Sequence, residues 1–146
     1  LISICISVMG IFNGIGRLIF SAISDKLKNR SSVYILISLI SFITTIVVLV
    51  TPQTASIPIT LIIISACYGA GFSCLPSLLS DIFGMDNISK IHGITLTAWA
   101  VAGLVGNQIS SIVFEIYQSY IPLFVVLTII YMVQFGLTII INNKSK

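Results

Sequence analysis

Five apolar runs divide the chain: Leu1 to Ile23, Val33 to Val50, Ile59 to Ser80, Gly93 to Phe114 and Ile121 to Ile141. Each approaches the roughly 20 residues needed to cross about 30 Å of hydrocarbon. A backbone in lipid must bond within its own segment, so each run is predicted to be one transmembrane helix. The breaks are short. Ser24 to Ser32 and Asp81 to His92 are polar, and Thr51 to Pro58 carries Pro52 and Pro58. Glu115 to Tyr120 supplies a last turn before Pro122, a residue that suits a first helical turn.

Composition supports this pattern. With 57% hydrophobic residues, 8% charged residues and a mean hydropathy of +1.15, the chain lacks the polar groups to cover a soluble surface. An all-α transmembrane fold embedded in a lipid bilayer is therefore expected, with no soluble domain. Alternating the spans gathers Lys26, Lys28, Arg30, Lys90, Lys144 and Lys146 on one side, opposite Glu115. By the positive-inside rule the basic side is cytoplasmic, the N-terminus external and the C-terminus internal, and the plasma membrane is the expected location. The net charge of +3 then reflects topology and gives no argument for nucleic acid. Leu1 is not an initiator methionine and no charged stretch precedes the first run, so a fragment without a cleaved signal peptide is expected.

Gly10, Gly14 and Gly16 lie in the first span, Gly69 and Gly71 in the third, and Gly93, Gly103 and Gly106 in the fourth. Small residues let membrane helices approach closely, so these three spans are predicted to form the interior. The second and fifth, rich in Ile, Val and Leu, are predicted to face lipid. The fourth carries two stripes, Ala98-Ala102-Gly106-Ser110 and Trp99-Gly103-Asn107-Ser111, one able to pack while the other borders a cavity. Pro76 removes a hydrogen bond from the third span and is predicted to bend or unwind it near Ser73 to Ser77, either as a gate or as a static kink. Cys67 and Cys74 are two turns apart on one helix, about 10 Å, too far to bridge. With Cys5 they read as small core residues.

The candidate chemistry centres on Arg17, a cation within the first apolar run. Arginine at the bilayer centre costs about 2.5–3.5 kcal/mol on insertion scales, so it usually faces a protein interior or a watery path. A guanidinium holds a carboxylate through two parallel bonds, which points to an anionic ligand. The competing reading is a snorkelling side chain, since Arg17 lies eight residues, about 12 Å along a helix, from Asp25. Asn13 lies one turn earlier on the same face, and Tyr68 and Ser73 of the third span are further candidates; Asn107 is either polar lining or structural. No Asp or Glu lies deep in a span and His92 is at a boundary, so a proton relay is not expected here. One boundary histidine cannot supply a haem His pair, and a serine or cysteine nucleophile has no buried base beside it. No enzyme activity, catalytic residue, metal or cofactor is expected.

Asn13-Gly14-x-Gly16-Arg17 followed by Ser24-Asp25-Lys26 and a basic loop resembles the central loop of the second half of a major facilitator superfamily transporter. Within that superfamily, Leu75-Pro76-Ser77-Leu78-Leu79-Ser80-Asp81-Ile82-Phe83-Gly84 resembles the oxalate/formate antiporter family. So does His92-Gly93-x-Thr95-x-Thr97-Ala98-Trp99-Ala100-x-Ala102-Gly103. The resemblance covers the whole chain, residues 1–146. It implies helices eight to twelve of a twelve-helix bundle, without the first half and the seventh helix, and pairs the first and fourth spans as equivalents in inverted repeats.

Function follows from the same resemblance. It implies alternating-access transport of small organic anions, with Arg17 as the anion-binding arginine and the absent N-terminal half as partner. Trp99 stands where oxalate carriers have a second basic residue, so one cation beside an aromatic wall favours monocarboxylates such as formate, lactate or pyruvate over a dianion. Asp25, Lys26 and Arg30 correspond to the loop that latches conformation, although Lys28-Asn29 departs from its usual glycine. The latch is expected to pair with a helix end or with charges of the other half; a solvated basic loop is the plainer reading. The alternative function is a non-transporting membrane subunit or a truncated remnant packed against another protein.

Overall fold

The computed structural model describes residues 2–27, 29–51 and 56–144. Leu1, Lys28, Pro52 and Lys146, named above, lie outside the described residues. Five helices follow in order: α1 (Ile2–Lys26), α2 (Ser31–Val50), α3 (Ser56–Phe83), α4 (Ile88–Tyr117) and α5 (Ile121–Lys144). All five are long and apolar enough to span a membrane, and no strand occurs among the described residues. The expected spans are present, each extended at one end or both. Extension is greatest around the third break: α3 continues to Phe83 and α4 starts at Ile88, leaving a turn of Gly84 to Asn87. Lys90 and His92 are therefore helical, not loop residues.

The turns have local causes. Gly84 closes α3 at φ 73, a left-handed conformation natural for glycine, and its N–H donates to Ser80 O at 3.0 Å. Gln118 adopts φ 50 after α4 and donates to Phe114 O at 2.9 Å. Before α2, the Asn29 side-chain oxygen accepts the Ser31 N–H at 3.1 Å and satisfies one orphan donor of the helix start. Pro122 sits in the first turn of α5, as its fixed φ favours. Pro76 lies inside an unbroken α3, so the expected unwinding does not occur.

Helix α3 occupies the centre, packed against α1 along most of its length and against α2; α2 in turn packs on α5. The core gathers Val33 and Ile37 of α2 with Cys67, Ala70 and Cys74 of α3, and Phe20, Ile23 and Ile63 pack around them. Cys67 and Cys74 are thus buried, free core residues.

Two packing expectations need correction. Helices α1 and α3 do approach through glycine: a Cβ on Gly16 would strike the Ala66 carbonyl, and one on Gly69 the Asn13 carbonyl. Helix α4, however, has no buried residue, both of its small-residue stripes lie largely exposed, and a Cβ on Gly93, Gly103 or Gly106 would meet nothing within 4 Å. The deeper helix is α2, expected to face lipid. Its buried stripe is Ser31, Ser38, Ser41, Thr45 and Val48. Hydroxyl residues are small enough for close helix approach and satisfy themselves on the preceding turn, as Ser38 Oγ does on Tyr34 O at 2.7 Å. Ser38 also meets Thr138 of α5 at 3.3 Å. Glycine count alone overlooked this alternative small residue.

Gly16→Ala and Gly69→Ala are expected to destabilise the detergent-solubilised protein by about 1–3 kcal/mol, the usual cost of overpacking. Gly10→Ala and Gly71→Ala, where the added Cβ meets nothing within 4 Å, are expected to leave stability unchanged or slightly raised. Thermal unfolding of the four variants checks this contrast.

Candidate functional site

The site grows out of the α1–α3 seam. These helices run parallel with a constant offset, and polar groups tie them at successive turns. Ser65 Oγ donates to Met9 O at 2.9 Å, Asn13 Nδ2 donates to Ser65 O at 3.2 Å, and Ser21 Oγ donates to Ser73 Oγ at 3.1 Å. Because the Asn13 amide spends its donor on α3, its oxygen is turned the other way, where it accepts Arg17 Nε at 3.2 Å. The arginine is therefore held by its inner nitrogen, leaving the terminal nitrogens as the outward edge of the guanidinium.

The guanidinium lies over Phe72 of α3, 5.3 Å from the ring centroid. This cation–π contact is worth about 0.5–2 kcal/mol depending on desolvation. Phe72 in turn meets Trp99 of α4, with centroids 5.7 Å apart and planes tilted by 57°. Trp99 Nε1 donates to the Tyr68 hydroxyl, one helical turn before Phe72. Asn13, Arg17, Tyr68 and Trp99 thus form one continuous cluster on three helices, linked through Phe72. Beside its aromatic end lies an apolar cavity of about 430 Å³ lined by Tyr68, Trp99 and Gly103 among others; Arg17 does not border it.

Phe72 was not among the sequence candidates. Its signal was present: it lies four residues after Tyr68 and so on the same face of one helix. Ser73 sits next to it but points into the seam, with its hydroxyl 3.1 Å from Ala70 O and 3.3 Å from Arg17 O. It ties α1 to α3. Asn107 is exposed on α4.

The loop residues assemble separately, at the basic end. Arg30 Nη2 lies 3.6 Å from Asp25 Oδ1, and Arg30 Nε lies 3.5 Å from Asp81 Oδ2. One guanidinium therefore links the end of α1 to the end of α3 within this chain. Asp81, expected only as a span-end residue, is the partner that sequence spacing did not reveal, since it lies 51 positions from Arg30. Both carboxylates are more than half exposed, and such pairs contribute at most about 1 kcal/mol each. Lys26 is exposed as the last residue of α1, and Pro76 lies one turn beyond Phe72. Among the described residues no cluster of three or more His, Cys, Asp or Glu is placed to hold a metal.

The family model of the Major Facilitator Superfamily matches residues 1–107, which take in α1, α2, α3 and much of α4. No curated protein and no solved structure matches the chain.

Trp99 is the single tryptophan, so its emission reports on the cluster. Phe72→Ala is expected to red-shift that emission by opening one side of the indole to water. Phe114→Ala, which removes a stacking partner of Tyr120 at 4.7 Å, is expected to leave it unchanged in steady-state fluorescence.

Proposed function

The chain belongs to the Major Facilitator Superfamily, a family of membrane transporters, and from this premise we propose that it carries small organic monoanions by alternating access. In this reading the five helices are helices eight to twelve of a twelve-helix carrier, and the first half and seventh helix complete the path. The basic end faces the cytoplasm of a plasma membrane, by the positive-inside rule.

The observation that supports this reading most strongly is the arrangement at Arg17. Its inner nitrogen is taken by Asn13 and one face by Phe72, so the outward edge with its paired donors is set to receive a carboxylate. The side chains that continue the cluster from it, Phe72 and then Trp99, are aromatic and uncharged. One fixed cation neutralises one negative charge, and an aromatic wall suits a small apolar substituent. That combination favours formate, lactate or pyruvate over oxalate, a departure from the oxalate-carrying members of the oxalate/formate antiporter family that the chain resembles. Exchange of one anion for another is the simplest cycle here, because the spans carry no deep Asp or Glu to relay a proton. The Arg30 bridge to Asp25 and Asp81 acts as the latch that loosens as the bundle rocks.

The test is uptake of labelled formate, lactate, pyruvate and oxalate into liposomes by the assembled carrier, with and without internal exchange anion. Arg17→Ala is expected to abolish monoanion uptake in folded protein. Arg17→Lys, which keeps the charge but not the two-pronged contact, is expected to raise KM about tenfold or more. Unchanged affinity and rate for every anion in Arg17→Lys would overturn the assignment.

A further inference from the structure

Phe72, whose ring lies under the Arg17 guanidinium, stands one turn before Pro76 in α3. In an ordinary helix the N–H four residues on would bond the Phe72 carbonyl, and Pro76 has none to give. The proline ring also crowds that carbonyl. Such a place is where helices bend, yet α3 runs through it unbroken.

Two neighbouring helices hold α3 at this turn. From α1, Ser21 Oγ donates to Ser73 Oγ at 3.1 Å, and Ser73 Oγ lies 3.3 Å from Arg17 O. From α2, the Tyr34 hydroxyl donates to Gly71 O at 2.7 Å, the usual length of an O–H···O bond. The Gly71 carbonyl and the Phe72 N–H belong to one planar peptide unit, so fixing the carbonyl fixes the plane from which Phe72 starts. The peptide unit on the other side of Phe72 is the one that Pro76 deprives of its helical bond. Tyr34 is itself half-buried and packed against the α2–α3 core, which aims its hydroxyl.

We propose that Tyr34 is a positioning residue for the anion cluster: its hydroxyl braces α3 across the gap left by Pro76 and keeps the Phe72 ring under Arg17 and against Trp99. Helix α2 supplies no residue to that cluster and acts on it through this bond. Without the hydroxyl, the peptide between Gly71 and Phe72 is free to turn and the ring turns with it. Arg17 then loses its aromatic face while Asn13 still holds its inner nitrogen. An N–H restored in place of Pro76 makes the brace dispensable, because α3 then closes the turn with its own hydrogen bond. The value of the brace to transport rests on the anion-carrier reading; the contact itself does not.

Fluorine NMR of the full-length protein, labelled with fluorotryptophan and held in lipid nanodiscs, tests the proposal. The Trp99 signal is identified by its loss in Trp99→Phe, and Phe72→Ala sets the displacement expected when the neighbouring ring is gone. Tyr34→Phe keeps the packed ring and removes only the hydroxyl, and it is expected to move the signal at least half as far in the same direction. Made together with Pro76→Ala, the same change is expected to leave the signal where Pro76→Ala alone puts it. Ser38→Ala removes an α2 hydroxyl that bonds its own helix and Thr138, and it is expected to leave the native signal in place. An unmoved signal in Tyr34→Phe would overturn the proposal. So would an equal displacement in the Pro76→Ala background, which would make the hydroxyl independent of the proline, or in Ser38→Ala, which would make the effect a general loosening of α2. The readout needs no transport, so its failure is separate from any failure of the anion-carrier reading.

Discussion

The structure depends on the close approach of α1 and α3. Gly16 lies against the Ala66 carbonyl and Gly69 against the Asn13 carbonyl, a reciprocal contact that leaves no room for a Cβ at either position. In lipid there is little hydrophobic force between helices, so association rests on close packing and on polar groups that find partners across the seam. Both occur here within the same two turns. The glycines bring the backbones together, and that distance lets Asn13, Ser65, Ser21 and Ser73 reach across.

The Arg17 cluster is a by-product of that seam. Asn13 is caught between two duties: its amide nitrogen is used on α3 and its oxygen holds Arg17. The arginine's charge is met by an aromatic face and a side-chain oxygen, each worth about 0.5–1.5 kcal/mol, which offsets part of the few kcal/mol that a lone arginine costs in the bilayer. A cation held in this way keeps its paired terminal donors for a ligand. That outward edge is where the proposed carboxylate would bind, and the Arg30 bridge joins the ends of α1 and α3 apart from it.

Helix α4 touches its neighbours chiefly through this aromatic contact and short stretches against α3 and α5, and it buries no residue of its own. Its glycines and alanines are therefore not explained by packing within the chain. By contrast, Gly16 of α1 and Gly69 of α3 are buried at the helix contact. What differs is the partner. A small residue permits close approach but does not create it, and the facing helix must present a matching surface, as Ala66 does for Gly16. The serine and threonine stripe of α2 makes the converse point, because its small residues meet α5 and hold the helix that composition alone placed in lipid.

The amino-acid sequence by itself determined the five spans and the family resemblance, because a backbone in hydrocarbon must form long helices and apolar length is read directly from the residues. It also singled out Arg17, since a charge in such a run is costly and conspicuous, and it named Asn13 from register, Tyr68 from polarity and Trp99 from the family resemblance. Only the tertiary structure decided which helices are buried, that Phe72 carries the guanidinium, that Ser73 serves the seam, and that Asp81 rather than a loop neighbour completes the Arg30 bridge. The reason is physical. Length and periodicity are properties of one helix, whereas burial, ring contacts and ion pairs depend on the angle and register between helices, which arise from many small contacts between residues far apart in the chain.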